Sequence, residues 1–207
     1  MATKKERLET LKQELEQNTT LPLSQTANLV FGEGSEDAQV LFIGEAPGFH
    51  EDKQGRPFVG LAGQLLNKLL AEISWPRESV YITNIVKRRP PENRDPLPEE
   101  IEAYKPYLAH QIKILEPKLI ATLGRFSMNY FLLEAKISRD HGRLMKAGMW
   151  FVYPLYHPAA ALRATAVLED LRKDFQRLPE IVERLSNPEI PQAIKEQKPG
   201  ASQTSLF

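Results

Sequence analysis

Apolar positions along this chain follow two different periods, and the switches between them mark out the elements. Leu8, Leu11 and Leu15 fall at helical spacing behind Thr3 and Glu6, a pair that reads as a capping box. An amphipathic helix is therefore expected to open the chain and to end near Asn18. Leu61, Leu65, Leu66, Leu69, Leu70 and Ile73 repeat near 3.6 and predict a second helix from about Gly60. Pro98 suits the first turn of a third, which carries Ile101, Tyr104, Leu108, Ile112 and Leu115, with Pro106 expected to kink or split it. A fourth is expected from Arg125 to Ala135. Val167, Leu168, Leu171, Phe175, Leu178 and Leu185 mark a last long helix, bent at Pro179. Between the helices lie four short apolar runs, at 38–43, 80–86, 118–123 and 149–156. Such continuous runs suit strands buried on both faces. Strands alternating with helices predict an α/β fold whose central sheet has four parallel strands, covered on both sides.

A chain of 207 residues, 42% hydrophobic and 26% charged, suits one globular domain. That domain is expected over 1–185. From Ser186 the composition turns polar and proline-containing, so 186–207 reads as a flexible tail. No run approaches the roughly 20 apolar residues of a membrane span, and the first residues look like a charged helix start rather than a signal sequence. A soluble, cytoplasmic monomer is the expectation. With 27 basic and 27 acidic residues, any grip on a polyanion must come from local clustering. Cysteine is absent, which removes disulfides, thiol nucleophiles and thiolate metal ligands together. His50, His110, His141 and His157 are scattered, so neither a metal nor a cofactor is expected.

In open parallel sheets, ligands bind beyond the carboxyl ends of the strands. Three loops qualify here: 44–60, 84–94 and 157–163. The first, GEAPGFHEDKQGRPFVG, frees backbone amides to approach a ligand, or is a solvated turn with Phe58 in the core. Asn84 offers donor and acceptor together, as reading a pyrimidine edge requires, although asparagine at a strand end also forms turns. His157 could hydrogen-bond a carbonyl that gains negative charge, or be an ordinary surface histidine. Lys87, Arg88, Arg89, Arg94 and Arg163 put positive charge on the same edge, for phosphates or only for water.

Taken together, these segments resemble the family 4 uracil-DNA glycosylases over about residues 14 to 178. The matching blocks are VFGEG at 30–34, GEAPG at 44–48 with Glu51 and Asp52, GRPFVGLAG at 55–63, TNIVKRRPPENRDP at 83–96 and HPAAALR at 157–163. The resemblance implies a three-layer α/β/α sandwich that extrudes uracil from DNA and hydrolyses its N-glycosidic bond in base excision repair. It implies that Phe58 stacks on the flipped base, Asn84 reads its polar edge and His157 stabilises charge arising on O2. Gly44 and Ala46 join the substrate-binding set. Glu45 is the candidate for positioning or activating water, and Glu51 for crowding C5 against thymine. Lys87, Arg89, Arg94 and Arg163 are expected on the DNA backbone. Leu162 is expected to wedge into the duplex, because Ala161 stands where the family often has Leu.

Family members hold a four-iron cluster with four cysteines, and the aligned positions here are Asn18, Leu21, Arg88 and Tyr104. The expectation is a variant without the cluster, in which Leu21 and Tyr104 fill the space and Arg88 stacks on Tyr104. A related branch bonds covalently to DNA through a histidine in the loop after the second strand. No histidine occurs in 87–96, so that chemistry is not expected. The chain ends QTSLF, resembling peptides that dock repair proteins on the sliding clamp through residues such as Gln203, Leu206 and Phe207. The alternative function is a catalytically weak, clamp-tethered lesion sensor.

Overall fold

The computed structural model describes residues 2–187, so Gln203, Leu206 and Phe207, expected to dock on a sliding clamp, lie outside the described part. A six-stranded sheet forms the middle layer. Its strands are β1 (Glu33–Gly34), β2 (Val40–Gly44), β3 (Tyr81–Asn84), β4 (Leu119–Leu123), β5 (Met145–Ala147) and β6 (Trp150–Leu155). Their order in the sheet is β1-β3-β2-β4-β6-β5. The four inner strands run parallel, as their apolar runs predict, and β1 and β5 pair antiparallel at the two edges. Those edge strands were not anticipated, because two or three residues are too short to show a period.

Helices are α1 (Lys4–Gln17), α2 (Phe49–Gln54), α3 (Leu61–Glu72), α4 (Pro98–Leu115), α5 (Arg125–Phe131), α6 (Ile137–Asp140), α7 (Pro158–Ala161), α8 (Thr165–Gln176) and α9 (Leu178–Ser186). The capping box forms as expected: the Thr3 hydroxyl accepts from Glu6 N, and the Glu6 carboxylate accepts from Thr3 N. Alternate residues of each inner strand point to opposite layers. Leu41, Ile43, Tyr81 and Ile120 face α1, α4 and α5, whereas Val40, Phe42, Ile82 and Ala121 face α3, α8 and α9. Phe42 stacks on Phe175 of α8 with ring centroids 5.7 Å apart. The result is the three-layer α/β/α sandwich.

Three helix boundaries differ from the periodic reading. Pro106 neither splits nor ends α4, which runs unbroken for 18 residues. Burial of Tyr104, Leu108, Ile112 and Leu115 on that helix outweighs the roughly 3 kcal/mol that an interior proline costs. The last helix is broken rather than bent: α8 ends at Gln176, and Pro179 sits in the first turn of α9. The helix expected from Arg125 to Ala135 stops at Phe131, with Leu132 in a non-helical conformation.

Of the four residues that the resemblance aligns with cluster cysteines, three form hydrogen-bonded ties around the end of α1 and the fourth packs beside them. Tyr104 is fully buried, and its hydroxyl donates to Pro22 O at 2.7 Å. Arg88, also buried, donates to Ala27 O at 2.7 Å and Leu15 O at 3.4 Å. Asn18 donates to the Tyr107 hydroxyl at 2.9 Å, and Leu21 is buried. Burial pushes the Tyr104 phenol up to about 12, with the Arg88 charge opposing. The expected stacking of Arg88 on the Tyr104 ring is not what forms: the guanidinium donates to the Ala27 and Leu15 carbonyls, while its charge still acts on the Tyr104 phenol. Backbone carbonyls that need donors claim the guanidinium instead.

Candidate functional site

Register places the first two site residues. Parallel pairing sets Gly44, the last residue of β2, beside Asn84, the last of β3. A Cβ on Gly44 would lie 2.3 Å from Asn84 Oδ1 and 2.6 Å from Phe58 Cζ, so only glycine lets these two side chains close over the strand end. Phe58 then faces His157, with ring centroids 5.7 Å apart. All three side chains, with Glu45, Ala46 and Glu51, line one cleft of about 630 Å³ beyond the carboxyl ends of the inner strands. Such a volume suits a small, largely enclosed ligand.

Asn84 is the most informative of them. Its side chain is buried, and Oδ1 has no hydrogen-bond partner among the described residues. An unmatched buried acceptor costs about 1–3 kcal/mol, so its retention at the cleft wall points to a donor on a ligand.

Phe58 is held in an unusual pose. Its φ of 51° is left-handed, a strained conformation for an aromatic residue. Two anchors fix it. Glu51 Oε1 accepts from Val59 N at 2.8 Å and from Gly60 N at 2.7 Å, while Arg77 donates to Pro57 O at 2.5 Å. Arg77 is itself fixed by Glu33 and Asn67. One oxygen of Glu51 is therefore committed to the backbone that presents the ring.

His157 caps α7, and its Nδ1 accepts from Ala159 N at 3.1 Å. That bond leaves the proton of the neutral ring on Nε2, as a donor. Burial pushes the imidazole down to about 4, with Glu51 opposing, so the ring is neutral at physiological pH. Gly124, at a φ of 93°, passes close beneath it: an added Cβ would sit 3.0 Å from His157 Cβ. Among the described residues Glu45 has no hydrogen bond to another residue's side chain, and burial, reinforced by the charge of Asp95 and opposed by Arg125, pushes its carboxyl up to about 7.

The basic residues separate into three groups. Lys87, expected on phosphates, is fully buried, and its ammonium donates to Thr83 Oγ1, Asn84 O and Gln111 Oε1 at 2.6, 2.8 and 2.6 Å. With all three protons used inside the protein it cannot reach DNA, which corrects that assignment. Arg94 lines the cleft while its guanidinium holds Glu100 through two bonds. Arg89 is half-buried and directly precedes Pro90 of the cleft wall, and Arg163, lining the cleft, is exposed. Leu162 is half exposed, whereas Ala161 is buried in the core. A wedge from this loop would have to be Leu162.

One strand end was left out of the sequence reading. Gly124 and Arg125, after β4, line the same cleft, as does Asp95, which pairs with Arg125 at 2.8 Å. The strand-end rule applied to all four parallel strands would have found that loop. Among the described residues no group of three or more His, Asp or Glu could hold a metal ion, and no helix is long and apolar enough to cross a membrane.

Comparison with known proteins sets this geometry in context. The model of the "Uracil DNA glycosylase superfamily" matches residues 31–185. A type-4 uracil-DNA glycosylase of Archaeoglobus fulgidus is 45% identical over 163 residues, covering 74% of this chain and 82% of its own length. The type-4 enzyme of Sulfurisphaera tokodaii is 46% identical over 167 residues, 74% of each chain. That of Thermotoga maritima is 42% identical over 183 residues, covering 84% of this chain and 95% of its own.

Proposed function

Since the chain belongs to the uracil DNA glycosylase superfamily, we propose that it removes uracil from DNA by hydrolysing the N-glycosidic bond, leaving an abasic site. The observation that carries this reading is the unpaired, buried Oδ1 of Asn84 in a cleft shared with Phe58 and His157. In the extruded nucleotide, Oδ1 accepts from N3–H and the amide nitrogen donates to O4, while Phe58 stacks on the ring. As the bond breaks, the base leaves with the electron pair and charge gathers on O2. The Nε2–H of neutral His157 donates to it, a fixed donor aimed at charge that develops only in the transition state. Glu45 takes a proton from the attacking water, and its raised carboxyl titrates close to working pH. Arg163 and Arg89 hold the DNA backbone, and Leu162 fills the gap left by the flipped nucleotide.

The reading includes the loss of the iron-sulfur cluster. Its four positions carry an amide, an alkyl group, a guanidinium and a phenol, and the last two are engaged with backbone carbonyls. This donor set does not fit the group, and no step above passes through it. The protein works in the cytoplasm as a monomer, and the C-terminal Gln203, Leu206 and Phe207 tether it to the sliding clamp. Deleting the last five residues should abolish clamp binding; unchanged binding removes the tether.

The glycosylase itself is tested by incubating the pure chain with a uracil-containing oligonucleotide and scoring alkali-labile abasic sites. Cleavage is expected, and Asn84→Asp and His157→Ala should suppress it far more than they lower stability. Tight binding without released base would favour a lesion sensor instead.

A further inference from the structure

Beside the cleft, Phe49 and Lys53, which the chemistry above does not use, form a cluster with Arg89. Phe49 opens α2 directly after Gly48, which lines the cleft, yet its ring is 45% exposed, unusual for an aromatic residue on a short helix. Two cations sit against it. The Lys53 ammonium, one helical turn on, lies 5.0 Å from the ring centroid, and the Arg89 guanidinium, from the loop after β3, lies 5.1 Å away. Arg89 Nε is fixed on Asn93 Oδ1 at 2.7 Å, which leaves both terminal nitrogens for another acceptor. Neither Lys53 nor Arg89 has a carboxylate partner among the described residues. The neighbouring residue on each side, Gly48 or Pro90, belongs to the cleft wall.

Two cations without a carboxylate partner among the described residues are thus gathered on one exposed ring. The ring faces attract them and restrict their rotamers, as the negative quadrupole of an aromatic face requires. Two such cations leave charge to be matched by an anion, and the one anion a strand threading this cleft must bring is its phosphodiester backbone. Resting on the glycosylase reading, we infer that Phe49, Lys53 and Arg89 form a phosphate clamp for the DNA backbone next to the extruded nucleotide. Phe49 acts in it as a positioning residue: it orders the two cations rather than touching a base. Arg89 supplies a fork to one phosphate, and Lys53 a point charge beside it.

The probe is a fluorescein-labelled single-stranded oligonucleotide containing thymine in place of uracil, so that binding is read without turnover. Its affinity is followed against salt for the full chain and for Arg89→Gln, Lys53→Gln, Phe49→Leu and Phe49→Tyr. Each charge removal should flatten the slope of log K against log salt by about 0.7, the value for one phosphate contact to a single strand. Phe49→Leu should weaken binding about two- to five-fold, and Phe49→Tyr should restore it. Unaltered slopes in both charge variants would overturn the clamp, and so would a loss in Phe49→Leu with full slopes in Arg89→Gln and Lys53→Gln, because the ring would then be stacking on a base. Uracil release by the unaltered chain is scored in parallel. Its absence would sink the glycosylase reading and leave the slopes to decide the clamp separately.

Discussion

The ammonium of Lys87 donates to the backbone carbonyl of Asn84 at 2.8 Å, so a wholly buried cation fixes the strand end that presents the candidate base-reading amide. No carboxylate among the described residues neutralises it, and burial holds its pKa well below the usual lysine range. Lys87→Met keeps the volume but strands the acceptors of Gln111 and Asn84. Thermal or urea unfolding should show a loss of about 1–3 kcal/mol, as expected for buried polar groups left unmatched. A variant as stable as the parent would mean that the network contributes nothing net.

Glu45 sets the pH dependence of base release. Its carboxyl, raised to about 7 by burial and by Asp95, must be ionised to take a proton, so single-turnover rates should climb from pH 6 to pH 8 and level off. Asp95→Asn removes the charge that raises it and frees Arg125 to lower it. The limb should move to lower pH in that variant. A limb that stays put would separate it from Glu45.

His157 behaves in the opposite sense. Its ring is neutral in the folded protein down to about pH 4, whereas an unfolded histidine protonates near 6.5. Between those values the unfolded chain binds more protons, so this group withdraws stability as pH falls through the window. His157→Gln should lose less on acidification from pH 7 to pH 5, a difference of a few degrees in melting temperature for a chain of this size. His157→Ala should slow base release on the order of 10²–10³-fold at neutral pH, the effect of deleting one donor to a developing anion.

Glu51 tests how Phe58 is held. Glu51→Ala leaves Val59 N and Gly60 N without their acceptor and the left-handed backbone at Phe58 without its brace. Base release should fall at least about tenfold, one lost charge-assisted hydrogen bond being worth 1.5 kcal/mol or more. Glu51→Gln keeps one acceptor oxygen and should recover part of the rate. Equal rates in both variants and the parent would remove Glu51 from the positioning of the ring.

The ties around Tyr104 predict a stability that needs no iron. Tyr104→Phe deletes the bond to Pro22 O from a filled core and should cost about 1 kcal/mol, measured by thermal melting, with little effect on base release. Chelators and air should leave melting and activity unchanged. A chelator-sensitive melt would contradict the replacement of the cluster by side-chain ties.

Much of the layout was legible beforehand because it depends on local pattern. Four apolar runs predicted four parallel inner strands, and the carboxyl ends of three of them pointed to loops that meet at the cleft. Pro106 does not split α4 because its local penalty is small beside the burial of that helix, and β1 and β5 escaped because pairing, not periodicity, makes a two- or three-residue strand. The run of Lys87, Arg88 and Arg89 shows the limit most sharply. Three consecutive basic residues read alike, yet the first two are buried and hydrogen-bonded inside, and the third is only half-buried.

The amino-acid order by itself determined which chemistry was possible. It fixed the α/β alternation, the absence of any thiolate and the presence of an amide, an imidazole and a carboxyl at strand ends, because periodicity and functional groups are properties of the residues themselves. Burial and partnership belong to the folded chain. Only the tertiary structure decided that Asn84 keeps a free oxygen, that Glu45 is raised and His157 lowered, and that Lys87 turns inward. Each of these depends on which distant segments exclude water from the group and which supply its hydrogen bonds.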